Sequence, residues 1–157
     1  MGTKALFSYN WQVRADWLAW CADLPDDALL TAHTGGLGGI LRTLYHIVQC
    51  EYSWIRVIQG GPAFSEPFAA HASLGAVREL SGRVHPYVAA YVDTLTPAEL
   101  ERRFVPPWNR DQTLRVRAVL DHVIVHEVHH TGQLSVWARE IGRTPVSAEW
   151  LGREGAD

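Results

Sequence analysis

The stretch HVIVHEVHHTGQLSVW, residues 122–137, places four histidines within nine residues. A neutral imidazole offers one free lone pair, which makes histidine both a proton carrier and the commonest metal ligand. Two imidazoles one turn apart on a helix can reach the same ion. On a helical wheel with His126 at 0°, His130 falls at about +40° and His122 at about −40°. Val119, Gln133 and Trp137 fall within about 20° of zero, His129 at about −60° and Glu127 at about +100°. His122, His126 and His130 therefore share the face that must also carry apolar residues inward. A lone histidine on such a face is usually a hydrogen-bonded core residue. Three in successive turns are a stronger sign, because unpaired imidazoles cost a few kcal/mol each to bury and one metal ion satisfies them together. The ligand pair is His122/His126 or His126/His130, and spacing alone does not choose.

His126-Glu127-Val128-His129-His130 also satisfies H-E-x-x-H, the zinc-protease pattern. The continuation Thr131-Gly132-Gln133 is not that of the metzincins, and no strand-rich portion precedes the helix to hold a peptide edge-on. At about +100°, Glu127 points toward a neighbouring helix and away from the histidine face. Proteolysis is therefore not the expected chemistry.

A metal site inside a bundle needs a third ligand from another helix. His46 supplies it. It fronts a narrow stripe of small and polar residues, Gly39, Arg42, Thr43, Gln49, Cys50, Ser53 and Val57, with Leu37, Leu44, Val48 and Ile55 on the opposite side. The stripe suits the lining of a cavity; the alternative is a solvent face. Cys50, one turn on, is a possible fourth ligand, although a lone cysteine is usually a small buried hydrophobe. His33, His71 and His85 show no such pairing and are expected to be surface or structural residues.

Four helices position these groups. Leu6, Tyr9, Val13, Trp17, Trp20 and Leu24 recur at helical spacing until Pro25-Asp26. The second segment runs from about Leu37 to Ile58 and stops at Gly60-Gly61-Pro62. The third runs from about Leu74 to Leu95, with Pro86 expected to kink it. Thr96-Pro97-Ala98-Glu99 reads as a cap with proline at the first helical position. The fourth runs from near Leu114 to Ile141, closed by Gly142. RRFVPPWNRDQTLRV between the third and fourth alternates weakly, as a loop with two short strands would. The tail is expected to be irregular and to pack through Val146, Trp150 and Leu151. The fold class is all-α, a four-helix bundle with long crossover connections, forming a single domain over residues 1–157.

The 157 residues are 47% hydrophobic and 20% charged, with a formal net charge of −3 and no basic run. Nucleic acid is an unsuitable partner for such a surface. No apolar stretch approaches the ~20 residues of a membrane span, and the N-terminus has no signal-peptide pattern. Two cysteines, Cys21 and Cys50, are too few for a disulfide framework. These features suit a cytoplasmic protein. Of the seven tryptophans, Trp17, Trp20 and Trp137 have core spacing, and Trp108-Asn109, on the loop feeding the histidine helix, is best placed to touch a ligand.

LYHIVQCEYSWI at 44–55, the H-H-x-G-Q run at 129–133 and REIGRTPVS at 139–147 closely resemble the DinB/YfiT-like family, across nearly the whole chain. The resemblance implies a four-helix bundle, often homodimeric, with three metal-binding histidines at His46, His126 and His130. It places His122 beside the site. It implies a divalent ion, zinc or nickel, with open positions, and relatives that act as thiol S-transferases or isomerases using bacillithiol or mycothiol. The first functional expectation is thus a metal-dependent enzyme joining a small thiol to an electrophilic small molecule, in stress response or detoxification. A metal-dependent hydrolase, with Glu127 or another carboxylate as base, is the second. A non-catalytic metal-binding stress protein, closed by a ligand such as Cys50, is the third.

Overall fold

The computed structural model describes residues 2–155. Its four long helices are α1 (Thr3–Trp20), α3 (Ile40–Ile58), α4 (Leu74–Asp93) and α6 (Val116–Glu140), with short α2 (Asp26–Leu30) and α5 (Pro97–Glu101) between them. α3 packs on α4 and α6, and α1 closes the bundle against the same two neighbours. All four long helices feed one apolar core, in which Phe7, Trp17, Leu44, Val48, Ile55, Leu80, Val88, Leu120 and Leu134 are almost fully buried. Strands β1 (Arg103–Phe104) and β2 (Leu114–Arg115) pair antiparallel, Arg103 opposite Arg115, and the chain then enters α6. Among the described residues no helix is long and apolar enough to cross a membrane.

Several boundaries differ from the periodicity. α1 ends at Trp20, a 3-10 turn covers Cys21–Asp23, and Pro25-Asp26 opens α2 where a simple stop was expected. Proline, lacking an N–H, disfavours continuing a helix and is well suited to the extended residue that precedes one. The second long helix begins at Ile40, because Gly35, Gly36 and Gly38 adopt φ of 81°, 52° and 77° and hold the approach out of helical geometry. Helix α4 runs unbroken through Pro86. Leu114 belongs to β2, so α6 starts at Val116. Thr96 does cap α5, its side chain accepting from the Glu99 N–H at 3.1 Å. The tail folds back along α1: the Tyr9 hydroxyl donates to the Ala148 carbonyl and the Trp20 indole to that of Thr144. Val146 and Trp150 pack on the core as expected, whereas Leu151 is 76% exposed, because the backbone turns there and only one face of the turn meets α1.

A buried arginine ties three helices together. Arg14 of α1 donates from Nε and Nη2 to both oxygens of Glu127 on α6, at 2.8 and 2.6 Å. It also donates from Nη1 and Nη2 to both oxygens of Glu51 on α3, each at 2.9 Å. The Trp11 indole adds a bond to Glu51 at 2.9 Å. The three charged side chains are 3%, 1% and 4% exposed. Burial opposes the charge on Arg14, but Glu127 and Glu51 together outweigh it and the guanidinium stays charged. Two carboxylates share one cation, so burial pushes Glu127 up to about 7 despite the pull of Arg14.

Arg14→Ala strands two buried carboxylates and is expected to lower unfolding free energy by about 3–5 kcal/mol, read from denaturant melts. Glu127→Gln is expected to cost less, since it removes the surplus negative charge. The pH dependence follows from the raised folded-state value: the contribution of Glu127 is complete below its ordinary 4.5 and is lost as pH rises through about 7. Wild type should therefore gain stability relative to Glu127→Gln as pH falls across that window, and a difference independent of pH would contradict the assignment.

Candidate metal centre

His46 projects from the middle of α3, and His126 and His130 from successive turns of α6. The Nε2 atom of His126 lies 3.0 Å from Nε2 of His46 and 3.1 Å from Nε2 of His130. These three are the one group of potential ligands found converging among the described residues. Helix register alone left the choice of pair open; packing of α3 against α6 brings His46 to His126 and His130. His122, exposed, sits one turn outward with its ring 5.7 Å from that of His126.

The donor set fits a cation. Two nitrogens about 2.1 Å from one ion lie about 3.0–3.4 Å apart for angles of about 90–109°. Without an ion the arrangement is frustrated, because a neutral His126 has at most one proton on Nε2 and faces two other Nε2 atoms. Burial lowers the pKa of all three histidines, and the mutual proximity of the rings lowers it further at His46 and His126, where it reaches about 3 for His126. All three are neutral at pH 7, with lone pairs available to an ion.

Gln133 sets the tautomer of His130. Its side-chain oxygen lies 2.8 Å from His130 Nδ1, and its nitrogen lies 3.1 Å from His129 Nε2. The amide therefore donates to His129 and accepts the Nδ1 proton of His130, leaving His130 Nε2 unprotonated toward the cluster. The loop before α3 presses on this amide. A Cβ on Gly36 would sit 2.7 Å from Gln133 Oε1, and the φ of +52° there already favours glycine. Beside it, the Trp137 indole donates to the Thr34 carbonyl at 3.1 Å and the His33 ring stacks on Trp137 at 5.3 Å. Neither Gly36 nor this loop was singled out from sequence, although the glycine run TGGLGG was a visible signal.

The other expected contributors lie outside the cluster. Glu127 faces the core with both oxygens accepting from Arg14. Cys50 is not among the converging groups, and burial, with Glu51 and Glu127 nearby, pushes its thiol up to about 12. His71 is buried and structural, 2.8 Å from a Glu66 oxygen. His33 is likewise structural, 2.9 Å from Glu140, and exposed His85 stands edge-on to Trp11. Trp108 is 55% exposed and edge-on to Trp54, whose ring is 5.9 Å from His122, so an aromatic wall runs outward from the histidines. Arg14 and Glu51 were missed from sequence. Both interrupt apolar stripes, Arg14 between Phe7 and Trp17 and Glu51 between Val48 and Ile55.

The sequence model of the DinB family matches residues 1–156. The chain is 42% identical over 147 residues to the uncharacterized protein YizA of Bacillus subtilis (strain 168), covering 94% of this chain and 92% of that protein. A crystal structure of a DinB-like protein from Bacillus cereus ATCC 10987 superposes with a TM-score of 0.68 at 19% identity, covering 90% of this chain and 91% of the other, which is a likeness of fold.

Equilibration with zinc or nickel followed by elemental analysis is expected to give about one ion per chain. His46→Ala, His126→Ala and His130→Ala should each lose it and His122→Ala should keep it; retention in all four would dismantle the centre. Gln133→Leu and Gly36→Ala should weaken metal affinity by about 10–100-fold, since both disturb the support of His130.

Proposed function

The chain belongs to the DinB family, and from that membership and the convergence of His46, His126 and His130 we propose that it is a cytoplasmic metal-dependent S-transferase. It would join a low-molecular-weight thiol to an electrophilic small molecule, as a detoxifying enzyme does. The observation that carries this reading is the composition of the cluster: three imidazole nitrogens, with no cysteine or carboxylate among the converging groups of the described residues. A site of three neutral ligands leaves positions for an exogenous group, as catalytic sites do and closed structural sites do not.

A divalent ion held there, zinc or nickel, supplies the Lewis acidity that makes a thiol ionise at neutral pH. The protein's own groups do the rest. Neutral His46, His126 and His130 hold the ion, and Gln133 keeps His130 in the right tautomer. His122 stands on the solvent side of His126 and takes the thiol proton, passing it to water. Trp54 and Trp108 offer an apolar wall for the electrophile. In the reaction, the sulfur–carbon bond forms as the bond to the leaving group breaks, and that group departs with the bonding pair.

No observation favours the two other readings. The hydrolase reading calls for Glu127 or another carboxylate as base; Glu127 is fully engaged with Arg14, and no carboxylate joins the converging groups of the described residues. A structural metal needs a fourth protein ligand, and Cys50 does not join the group.

Zinc- or nickel-loaded protein is expected to conjugate 1-chloro-2,4-dinitrobenzene with bacillithiol, mycothiol or another small thiol. His126→Ala should abolish turnover, and His122→Ala should lower kcat by about 10–100-fold with metal content unchanged. Absence of metal-dependent conjugation with every thiol tried would refute the proposal.

A further inference from the structure

A cavity of about 530 Å³ lies between α1 and α4. Small-molecule sites range over about 300–1,000 Å³, so its size is that of a ligand pocket. A contact between the two helices closes it at each end. At one, the Trp11 ring stands edge-on to His85, with centroids 4.6 Å apart. At the other, Arg78 Nη2 donates to the Leu18 carbonyl at 2.7 Å. Both contacts belong to one antiparallel register, since Trp11 and Leu18 have the same separation on α1 as His85 and Arg78 on α4. Midway, that register sets Ala15 against Ser81 and Gly82, and side chains this small leave the space unfilled. A Cβ on Gly82 would meet nothing within 4 Å.

The lining joins an apolar wall to a cationic rim. The Trp11 indole N–H is spent on Glu51, so this side chain offers the cavity only its apolar ring, and Ala15 and Leu18 extend that surface. Arg78 is exposed at the rim and forms no ion pair among the described residues. His85 stands two turns on, about 10.5 Å along the helix axis. Among the described residues no carboxylate belongs to the lining. Buried Arg14 contributes to the floor. Four of its N–H groups bond Glu51 and Glu127, and the fifth, on Nη1, has no acceptor among the described residues.

We propose that this cavity is a second small-molecule site, built for an aryl carboxylic acid. The carboxylate pairs with Arg78 at the rim, and the ring system lies along Trp11, Ala15 and Leu18 toward His85. A lone guanidinium with no acid in the lining selects an anion over a cation, and the fork of its N–H groups matches a carboxylate. The flat wall and the length between Arg78 and His85 select a planar body of two fused rings over a compact one. The site is separate from the histidine cluster: α1 and α4 carry none of the three converging imidazoles. Arg14 stands between the two, lining this cavity and holding Glu127, the neighbour of His126. The inference uses neither an ion nor a thiol, so it stands whether or not the catalytic reading does.

Isothermal titration of the untagged full chain with 2-naphthoate tests it. About one molecule per chain is expected to bind, with a dissociation constant on the order of 0.1 mM. The uncharged 2-naphthamide, of the same shape, should bind about 5–10-fold more weakly. Arg78→Gln should bring naphthoate down to the level of the amide, and Arg78→Lys should recover part of the loss. Gly82→Leu places a side chain in the cavity at a position where leucine suits a helix better than glycine. It should abolish binding while circular dichroism shows the helical fold intact. His126→Ala should leave the naphthoate affinity unchanged. Four results would each overturn the proposal: no binding up to about 2 mM, equal affinity for the amide, indifference to Gly82→Leu, or loss of binding in His126→Ala, which would put the naphthoate on the histidines.

Discussion

The bifurcated grip of Arg14 on Glu51 and Glu127 is the constraint on which the site depends. Each carboxylate is held bidentately, so neither α3 nor α6 can rotate about its own axis without breaking two charge-assisted bonds in a dry interior. Glu127 adjoins His126, and Glu51 lies five residues after His46. Fixing the inward direction of the two acids therefore fixes the direction of the two imidazoles, about 100° and 140° around their helices. The ion triad is weak evidence for overall stability, because desolvation offsets much of its attraction. Its clear consequence is orientation: three helices agree on one rotation each, and the histidines follow.

The same geometry explains why the H-E-x-x-H match does not carry its usual chemistry. In that pattern the acid must stand by the ion, and here it is committed to the opposite task of pairing with a buried cation. The separation is useful electrostatically. Neutral imidazoles face one another across the α3–α6 contact, and the ionised groups lie deeper, toward α1. Cys50, near the acids, is kept protonated by burial and by their charge. What remains at the centre is a set of neutral nitrogen donors whose mutual closeness a shared cation would relieve.

Around this centre the chain provides support at two distances. Gln133 acts directly on His130, and the loop ending in Gly39 acts on Gln133 through Gly36 and on Trp137 through Thr34. The long connection from α1 to α3 is thus part of the metal centre's scaffold and not only a link between helices. On the other side of α6 Val125, Val128 and Val136 face outward, so the core and the histidine cluster are served by adjoining faces of one helix.

The sequence by itself determined the four long helices, the all-α bundle, the common face of His126 and His130, and the divergence of Glu127 from it. Each of these follows from local periodicity, since 3.6 residues per turn is a property of the backbone and needs no knowledge of neighbours. The boundaries at Pro25, Gly38 and Leu114 were legible only approximately, because propensity there competes with loop conformation and with strand pairing. Tertiary structure alone decided that His46 meets His126, that Arg14 is the partner of both acids, and that Gly36 rests on Gln133. These contacts join positions 80, 113 and 97 residues apart in the chain, and no periodicity spans such distances. Their identity depends on which helix faces pack together, a choice made by the burial of the whole core.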